Sequence, residues 1–584
     1  MLTNARIAAC FEEMAFWLEI AGENPFRVRA YQRAAETAAG FAKPLTEISQ
    51  AKLLEIPGIG KGIASHIAEL SAKGSLSDLE ALRKRFPKGL LDIVRVQGLG
   101  PKRARLLYEE LRIDSLESLR SAAQAGKLRG LAGFGEKLEA SLLRSIEFAQ
   151  QASRRMNLWD ARLVMSDILA AMKAAPGVRD LAPAGSLRRG KETVGDLDVL
   201  CAAQGGAALV EFFTRLPQVE RVLAAGETKA VVWLKSQIQC DLRVVPPQSF
   251  GAALQYFTGS KEHNVALREL AQRKGLTINE YGLFRAADAS RKKPLAGRTE
   301  EEIYRKLGLD FIAPELRENR GEIDAARTGK LPELVRLEDV RGDFHNHSDY
   351  TDGQESLLDM ARAARDMGWD WVALGDHSRS LRVAKGLSIE DLRRTIGEVR
   401  AIQAKVPEVK LMRSMEVDIL KDGTMDYPDA VIEEIDVVVA SVHSAFSQSE
   451  ADMTARLCRA AANAHVDIVG HLSGRLIGRR EAYAVDAQAV LEAGAREGTA
   501  FEINGQPQRQ DLTDAHARRA VELGAKLAVT TDAHAAAQFR YMELAVLIAR
   551  RAGLTRKDVL NCLTYGELTE WLARPRPGTR AKSH

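Results

Sequence analysis

Two groups of side chains in this sequence are of the kind that hold divalent cations and act on phosphate esters. The segment DFHNHSDYTDG, residues 343–353, packs two histidines and three aspartates into eleven residues. Of the chain's eleven histidines, six (His345, His347, His377, His443, His471 and His534) stand at or just after apolar stretches that read as strands. Acids accompany them at Asp343, Asp352, Asp376, Glu416 and Asp532. A single strand-end histidine is more often a hydrogen-bonded structural residue, but six of them make coincidence implausible. Nitrogen and oxygen donors without cysteine suit Zn²⁺, Mn²⁺ or Fe²⁺. Ions so held polarise a phosphate and lower the pKa of a bridging water, which gives phosphoester hydrolysis at neutral pH.

The second group is purely acidic. In GSLRRGKETVGDLDVL, residues 185–200, Asp196 and Asp198 lie two apart on a strand, so both side chains project from one face. Asp241, in QCDLRVV, sits on a later strand that could lie alongside. Three converging carboxylates repel one another unless cations neutralise them, and Mg²⁺ prefers such oxygens. Two ions about 4 Å apart can activate a primer 3′-hydroxyl and stabilise a leaving pyrophosphate. A bare DxD by itself reads as a solvated strand end.

Three segments of the first 150 residues resemble one another: LEIPGIGKGIASHI (54–67), VRVQGLGPKRARLL (94–107) and LRGLAGFGEKLEASLL (128–143). Each has an apolar residue, then Gly-x-Gly, then a helical pattern with a lysine close by. The glycine pairs are Gly58 and Gly60, Gly98 and Gly100, Gly133 and Gly135, and the lysines are Lys61, Lys102 and Lys137. Glycines at such a turn leave backbone N–H groups bare at a helix start, where a phosphate can approach. This helix-hairpin-helix pattern grips DNA backbone without reading bases.

The elements that must position these groups follow from the rest of the chain. With 584 residues and 46% hydrophobic content, several cores are expected. Residues 1–340 carry 51 Lys+Arg against 43 Asp+Glu, and residues 341–584 carry 32 against 36, so the front half is the better partner for a polyanion. Five scattered cysteines with no CxxC spacing read as reduced thiols of a cytosolic protein. The sequence predicts no signal peptide and no membrane span. Residues 1–150 read as helix throughout. DLDVLCAA, AVVWLKS and IQCDLRVVP read as strands, helix resumes from 250 to 325, and a polar connector follows. Beyond 340, seven apolar strands alternate with helices, the pattern of a parallel βα barrel.

Gly185-Ser186 with Arg189, followed by Gly195-Asp196-Leu197-Asp198, resembles the nucleotidyltransferase signature of the family X DNA polymerases, the polymerase beta type. The resemblance covers residues 1–325, including NPFRVRAYQRAA near the start. It implies that the Gly-Ser turn and Arg189 hold a triphosphate and that the three aspartates hold the metals. YFTGSKEHN, residues 256–264, resembles a second block of the family, in which Tyr256 and Phe257 lie against the nucleotide sugar beside Gly259. Asn264 and Arg268 match positions near the minor-groove edge of the nascent pair and the template, and Arg243 also fits. The sequence departs from the family at His66, where the lyase nucleophile would be a lysine. Imidazole cannot form a Schiff base, so deoxyribose-phosphate lyase activity is expected to be weak or absent there. It departs again at Gln239, which replaces an arginine common among the animal enzymes.

The rear half, over 341–570, resembles the polymerase and histidinol phosphatase (PHP) domain. The resemblance implies nine ligand positions, His345, His347, Asp352, His377, Glu416, His443, His471, Asp532 and His534, all filled by metal-competent residues, with Glu416 as the bridge. GRLIGRR, residues 474–480, offers Arg475, Arg479 and Arg480 for DNA phosphates, with a solvated helix cap as the competing reading.

The expected architecture is therefore multidomain: a helical helix-hairpin-helix region, an α+β nucleotidyltransferase palm and thumb, and a C-terminal α/β PHP domain as a distorted seven-stranded βα barrel. The expected boundaries are an 8 kDa-like DNA-binding domain over 1–90, a fingers-like domain over 91–152 and a palm over 153–248. A thumb over 249–325, a linker over 326–340, the PHP domain over 341–573 and a disordered tail over 574–584 complete the chain. The expected function is template-directed filling of short gaps in DNA repair. To it are added a Mn²⁺-stimulated 3′→5′ exonuclease and, as further activities of the same cluster, 3′-phosphatase or abasic-site endonuclease. Expected cofactors are Mg²⁺ or Mn²⁺ at the acids and up to three Mn²⁺, Zn²⁺ or Fe²⁺ ions at the histidines. Expected partners are gapped or primed DNA and dNTPs, with a monomeric protein in the cytoplasm, on the nucleoid. Two other readings stand beside this one: a small-molecule phosphatase on a DNA-binding scaffold, and a DNA-end-binding scaffold with vestigial chemistry.

Overall fold

The structure, a computed structural model, describes residues 4–40, 45–54, 59–87, 89–94, 99–131, 155–288, 293–477 and 482–574, with single residues 56, 96, 134 and 480 between them. The expected disordered tail lies outside the described residues except for its first residue, Arg574.

Described residues between 4 and 134 form helices packed around one core that includes Phe11, Trp17, Ile67 and Leu107. Helix Lys61–Lys73 starts from Gly60 and helix Pro101–Leu111 from Gly100, with Pro101 in the first turn, where its missing N–H costs nothing.

The middle region is built on a five-stranded sheet. Its order across the sheet is Asp180–Pro183, Asp196–Ala202, Gln239–Val245, Lys229–Leu234 and Val219–Ala225. Only the Asp196–Ala202 and Gln239–Val245 pair is parallel; every other neighbour is antiparallel. Four residues of Asp196–Ala202, Val199 to Ala202, are buried in succession, as suits a central strand covered on both faces, and the acids stand at its open end. Helices Phe250–Thr258 and Lys261–Arg273 follow. The helix expected up to 325 is then interrupted by an antiparallel pair, Leu276–Asn279 with Gly282–Arg285, where LTIN alternates apolar and polar residues and Glu280-Tyr281 makes a tight turn into GLFR.

The rear region holds six parallel strands in sequential order: Trp371–Leu374, Lys410–Asp418, Val437–Ser441, Ile468–Val469, Ala500–Asn504 and Leu527–Thr530. The expected seventh strand, at His345, is an irregular segment. Asp343 O accepts from Ala373 N at 2.9 Å on one side, and His347 N donates to Ala533 O at 2.7 Å on the other. Residues 341–347 thus lie between the first and last strands, and the sheet curls around them. His345 and His347, two apart, keep the one-sided placement of a strand and reach the same cluster, with ring centroids 5.1 Å apart.

The expected linker is packed rather than free. Val335 is fully buried, donates to Leu554 O at 2.9 Å, and accepts from Arg550 Nη1 at 3.0 Å. Helix Met542–Ala552 of the rear region also reaches forward, placing Leu544 in the core of the middle region. None of the five cysteines is in a disulfide. No described helix is long and apolar enough to cross a membrane.

Candidate active sites

The parallel pairing sets Asp198 directly across from Asp241 and Asp196 across from Gln239. Burial pushes the Asp198 carboxyl up to about 7, with the charges of Asp196 and Asp241 adding to the effect against Arg189 and Lys229. Asp196 is raised as well, by burial and then by Asp241. Asp241 accepts from Gln239 Nε2 at 2.7 Å and lies 3.6 Å from Lys229 Nζ. Gln239, flagged in the sequence as a departure, therefore orients an acid. Raised, mutually repelling carboxyls are what a hard divalent cation relieves, so this donor set fits Mg²⁺ or Mn²⁺. The three carboxylates are not drawn together: among described residues, sets of three or more donor atoms within 4.8 Å of one another occur only in the histidine-rich region.

Residues of the GSLRRG turn close over the acids. Gly185 has φ +63°, and a Cβ there would lie 2.1 Å from Asp198 Oδ2, so only glycine fits. Ser186 lies in the short helix Gly185–Arg188, and Arg189 follows it. Arg189 Nη1 donates to Thr258 O at 2.5 Å and Nε to Glu318 Oε1 at 3.2 Å. Gly195 precedes the acid strand beside Arg155, and Gly259 packs against the Arg189 guanidinium. Tyr256 and Phe257 meet edge to face with ring centroids 5.2 Å apart. The Arg243 guanidinium lies 5.1 Å from the Phe257 ring centroid, and Ala184, Asp198, Asp241, Arg243 and Phe257 line one small cleft. Asn264 donates to Tyr256 O and accepts from Gln255, each at 2.7 Å, and Arg268 Nε donates to Asn264 O at 3.3 Å. The predicted acid, sugar-side and arginine residues are thus neighbours, with Arg189, Asn264 and Arg268 held by internal partners.

Glu416 is the centre of the second site. His377 Nδ1 and His471 Nε2 lie 2.8 Å from its carboxylate, His443 Nε2 3.3 Å, His345 Nε2 3.4 Å and His347 Nε2 3.8 Å. Three donor sets result: His347, Asp352, His377 and His534; His345, His347 and Asp532; His377, Glu416 and His443. His347 and His377 are each common to two sets, and His471 joins through Glu416. All nine predicted positions therefore meet.

Electrostatics in this site alternate between neighbours. Burial disfavours charge on Glu416, but His443, His345 and His377 hold its carboxyl well below the usual range. Burial opposes protonation of His377 too, yet Glu416 and Asp352 raise it to about 10, while burial with His377 and His534 pushes His347 down to about 3. The nitrogens His345 Nε2, His347 Nδ1, His443 Nε2 and His471 Nδ1 are buried with no hydrogen-bond partner among the described residues. Two of them, His345 Nε2 and His443 Nε2, face the Glu416 carboxylate at 3.4 and 3.3 Å, and orphaned imidazole nitrogens so placed fit divalent metal.

Three supporting residues escaped sequence reasoning. Glu502, fully buried, lies 2.6 Å from His345 Nδ1, and its Oε2 accepts from His471 N at 2.6 Å. Asp418 lies 2.5 Å from His443 Nδ1, and Arg509 Nε donates to Asp532 Oδ2 at 3.0 Å. Asp418 was legible in principle: it stands two residues after Glu416 on one strand, hence on the same face. Two of the accompanying acids are structural instead. Asp343 accepts from Thr531, and Asp376 accepts from Arg413, Ser348 and Thr351. Arg475 faces away from the cluster, its Nη2 paired with Glu192 of the middle region at 2.6 Å. Arg480 lies over the Phe446 ring, and Arg479 falls outside the described residues.

In the helical region Lys61 and Lys102 are exposed at helix starts, and a Cβ at Gly60 or Gly100 would meet open space, leaving both turns accessible. Gly58, Gly98, Gly133, Gly135 and Lys137 lie outside the described residues. A cleft of about 650 Å³ beside the first turn is lined by Arg27, Tyr31, Arg33 and Gly60, among others. His66 Nδ1 lies 2.9 Å from the Tyr31 hydroxyl.

Four stretches of the chain match known domain families. Residues 2–76 match the helix-hairpin-helix domain, 90–147 the SAM-like helix-hairpin-helix tandem, 253–318 the DNA polymerase beta thumb and 343–506 the PHP domain. The DNA polymerase/3'-5' exonuclease PolX of Bacillus subtilis (strain 168) is 36% identical over 570 residues, covering 97% of this chain and 99% of that one. DNA polymerase lambda of Rattus norvegicus is 27% identical over 341 residues, 54% of this chain and 56% of its own. A probable phosphatase of Thermoanaerobacter sp. (strain X514) is 27% identical over 242 residues, 39% of this chain and 93% of its own.

Proposed function

Because this chain belongs to the family X DNA polymerases that carry helix-hairpin-helix modules, a polymerase beta thumb and a C-terminal PHP domain, we propose that it fills short gaps in damaged DNA and trims 3′ ends. Synthesis takes place at the three acids and hydrolysis at the Glu416 cluster. Each Bacillus subtilis activity, polymerase and 3'-5' exonuclease, then has its own cation-binding set in this chain.

Divalent ions held by Asp196, Asp198 and Asp241 would supply the charge that makes a 3′-hydroxyl a nucleophile and pyrophosphate a leaving group. The chain's own side chains do the rest. The Gly185-Ser186 turn and Arg189 receive the triphosphate, Tyr256 and Phe257 bound the sugar, and Asn264 with Arg268 face the new pair and template. Arg189, Asn264 and Arg268 exchange their internal partners for substrate at that moment. Lys61, Lys102 and the bare helix starts hold the DNA backbone. His66, bonded to Tyr31, offers no amine for a lyase reaction.

At the second site, ions held by the nine ligands would supply a water of lowered pKa. Glu502 and Asp418 fix the rings of His345 and His443, and Arg509 neutralises Asp532 on its far side. The phosphoester class is the natural substrate, and the terminal phosphodiester of a 3′ end is the member that the adjoining DNA-holding modules deliver. Gapped or primed DNA and dNTPs are the partners, and a monomer working in the cytoplasm suffices for both reactions.

The observation that carries this reading is the meeting of five imidazoles on Glu416 in a chain that also sets Asp198 opposite Asp241. The test is a primer annealed across a one-nucleotide gap, incubated with and without dNTPs in Mg²⁺ or Mn²⁺. Extension with dNTPs and Mn²⁺-stimulated shortening without them are expected; failure of both overturns the proposal. The likeness to a probable phosphatase favours a second reading of the rear half alone, as a phosphatase for small monoesters. Rapid hydrolysis of p-nitrophenyl phosphate with no shortening of DNA would select it.

A further inference from the structure

Arg189 is held from behind by residues far away in sequence. Its Nε donates to Glu318 Oε1 at 3.2 Å. The same oxygen accepts from Arg551 Nη1 at 3.0 Å and lies 3.3 Å from Lys191 Nζ. Arg551 Nη1 also donates to the Arg189 carbonyl at 2.7 Å, and its Nη2 to Asp514 Oδ2 at 2.8 Å. Asp514 accepts from Arg320 Nη1 at 3.0 Å. Arg551 and Asp514 belong to the PHP region, and the others to the polymerase region. Side-chain exposure is 4% for Arg551, 10% for Glu318, 13% for Arg189 and 17% for Asp514, so solvent screens these contacts little. Behind the turn, Leu547 of the same helix as Arg551 packs where a Gly190 Cβ would stand.

One carboxylate oxygen is thus divided among three cations. The share taken by Arg551 weakens the hold of Glu318 on Arg189, whose single contact to it is the longest hydrogen bond of the set. The Arg189 head can then exchange that contact for an incoming anion, while its backbone stays fixed through the carbonyl. We infer that Arg551, a residue of the PHP domain, is a positioning residue of the nucleotidyl-transfer site, keeping Glu318 occupied so that Arg189 is free to take the dNTP triphosphate. Buried charged groups with shared partners couple strongly, and removing one member leaves the rest to re-pair. Without Arg551, Glu318 is shared by Arg189 and Lys191 alone, tightens on Arg189 and competes with substrate. The PHP domain therefore assists synthesis as well as bringing its own chemistry, and the inference rests on the polymerase reading above.

The test uses the full chain with Arg551→Met, Arg551→Lys, Glu318→Gln and the Arg551→Met/Glu318→Gln double variant. Four quantities are measured: KM for dNTP and kcat on a one-nucleotide gap, the rate of 3′-end hydrolysis, and Tm. Arg551→Met should raise KM for dNTP roughly tenfold with a smaller effect on kcat, and Arg551→Lys should fall between it and the unmutated chain. Adding Glu318→Gln should bring KM back to within about threefold of the unmutated value, because the competing charge is gone. Hydrolysis should be unchanged in every variant. The inference is overturned if Arg551→Met leaves KM unaltered, if Glu318→Gln adds to the defect instead of relieving it, or if extension, hydrolysis and Tm fall together in both Arg551 variants. An unmutated chain that extends no primer overturns the polymerase reading and this inference with it; normal extension that ignores Arg551→Met overturns the inference alone.

Discussion

The acid site and the histidine site solve the problem of gathering metal ligands in opposite ways. At Glu416, acids and imidazoles alternate, so each side chain finds a neighbour of opposite tendency and the set closes without help: His377 is raised to about 10 while Glu416 is held low. At Asp196, Asp198 and Asp241 every ligand has the same charge, and strand register alone brings them side by side. Their donor atoms stay apart, and Asp198 is pushed up to about 7 by burial and its neighbours. The mixed set is gathered by its own opposite charges; the all-acid set, on the proposed reading, needs a cation to draw it together.

The sharpest way to break this contrast is to remove ligands from one site and watch the other. Asp196→Ala with Asp198→Ala should lower gap filling by about a thousandfold or more, since metal contributes several kcal/mol to such a transition state, and leave 3′-end hydrolysis intact. Glu416→Ala, which removes the partner common to five histidines, should do the reverse. Loss of both activities in either protein, measured on one labelled substrate, would deny that the sites are separate.

Gly185→Ala comes next. Its Cβ would enter the Asp198 carboxylate, and φ +63° disfavours any side chain, so extension should fall by about a hundredfold while the hydrolytic activity and overall fold persist. Primer extension and far-UV circular dichroism check both halves of that expectation. Glu502→Gln and Asp418→Asn keep shape but weaken the grip on His345 and His443, and should cost hydrolysis about 10- to 100-fold with extension unaltered.

The smallest effect is one of pH. Asp198 binds its proton more tightly in the folded chain than in an unfolded one. Its contribution to stability is therefore fully present below the ordinary carboxyl range and is lost as pH rises through about 7. Divalent cation displaces that proton, so the rise in Tm on adding Mg²⁺ should be larger at pH 8 than at pH 6. In Asp198→Asn the difference should vanish. An equal rise at both pH values would mean that the acids do not hold the ion.

Much of both sites could be read from the sequence because their ligands fall at strand ends, where a two-residue period or a histidine after an apolar run leaves a trace. HxH, GDH and DLD are such traces. What could not be read depends on pairings across long separations. Nothing in TAFEIN says that Glu502 faces His345, 157 residues earlier. Arg475 looked free for DNA because its partner, Glu192, is 283 residues away. The seventh strand is not a regular ladder for a local reason: residues 341–347 have strand-like composition but pair with the first and last strands only at scattered points, Asp343 O with Ala373 N and His347 N with Ala533 O among them. The hairpin at 276–285 was absorbed into its helical surroundings because its strands have four residues each.

The strap around Val335 has a mechanical meaning. Both its backbone groups are spoken for by the rear region, and Leu544 and Arg551 fasten the same two halves a short distance away. The segment that joins the halves is thus part of their contact and not a slack tether between them. On the proposed function, a DNA end passing from the acids to the Glu416 cluster would cross two packed halves instead of being carried by the swing of a linker.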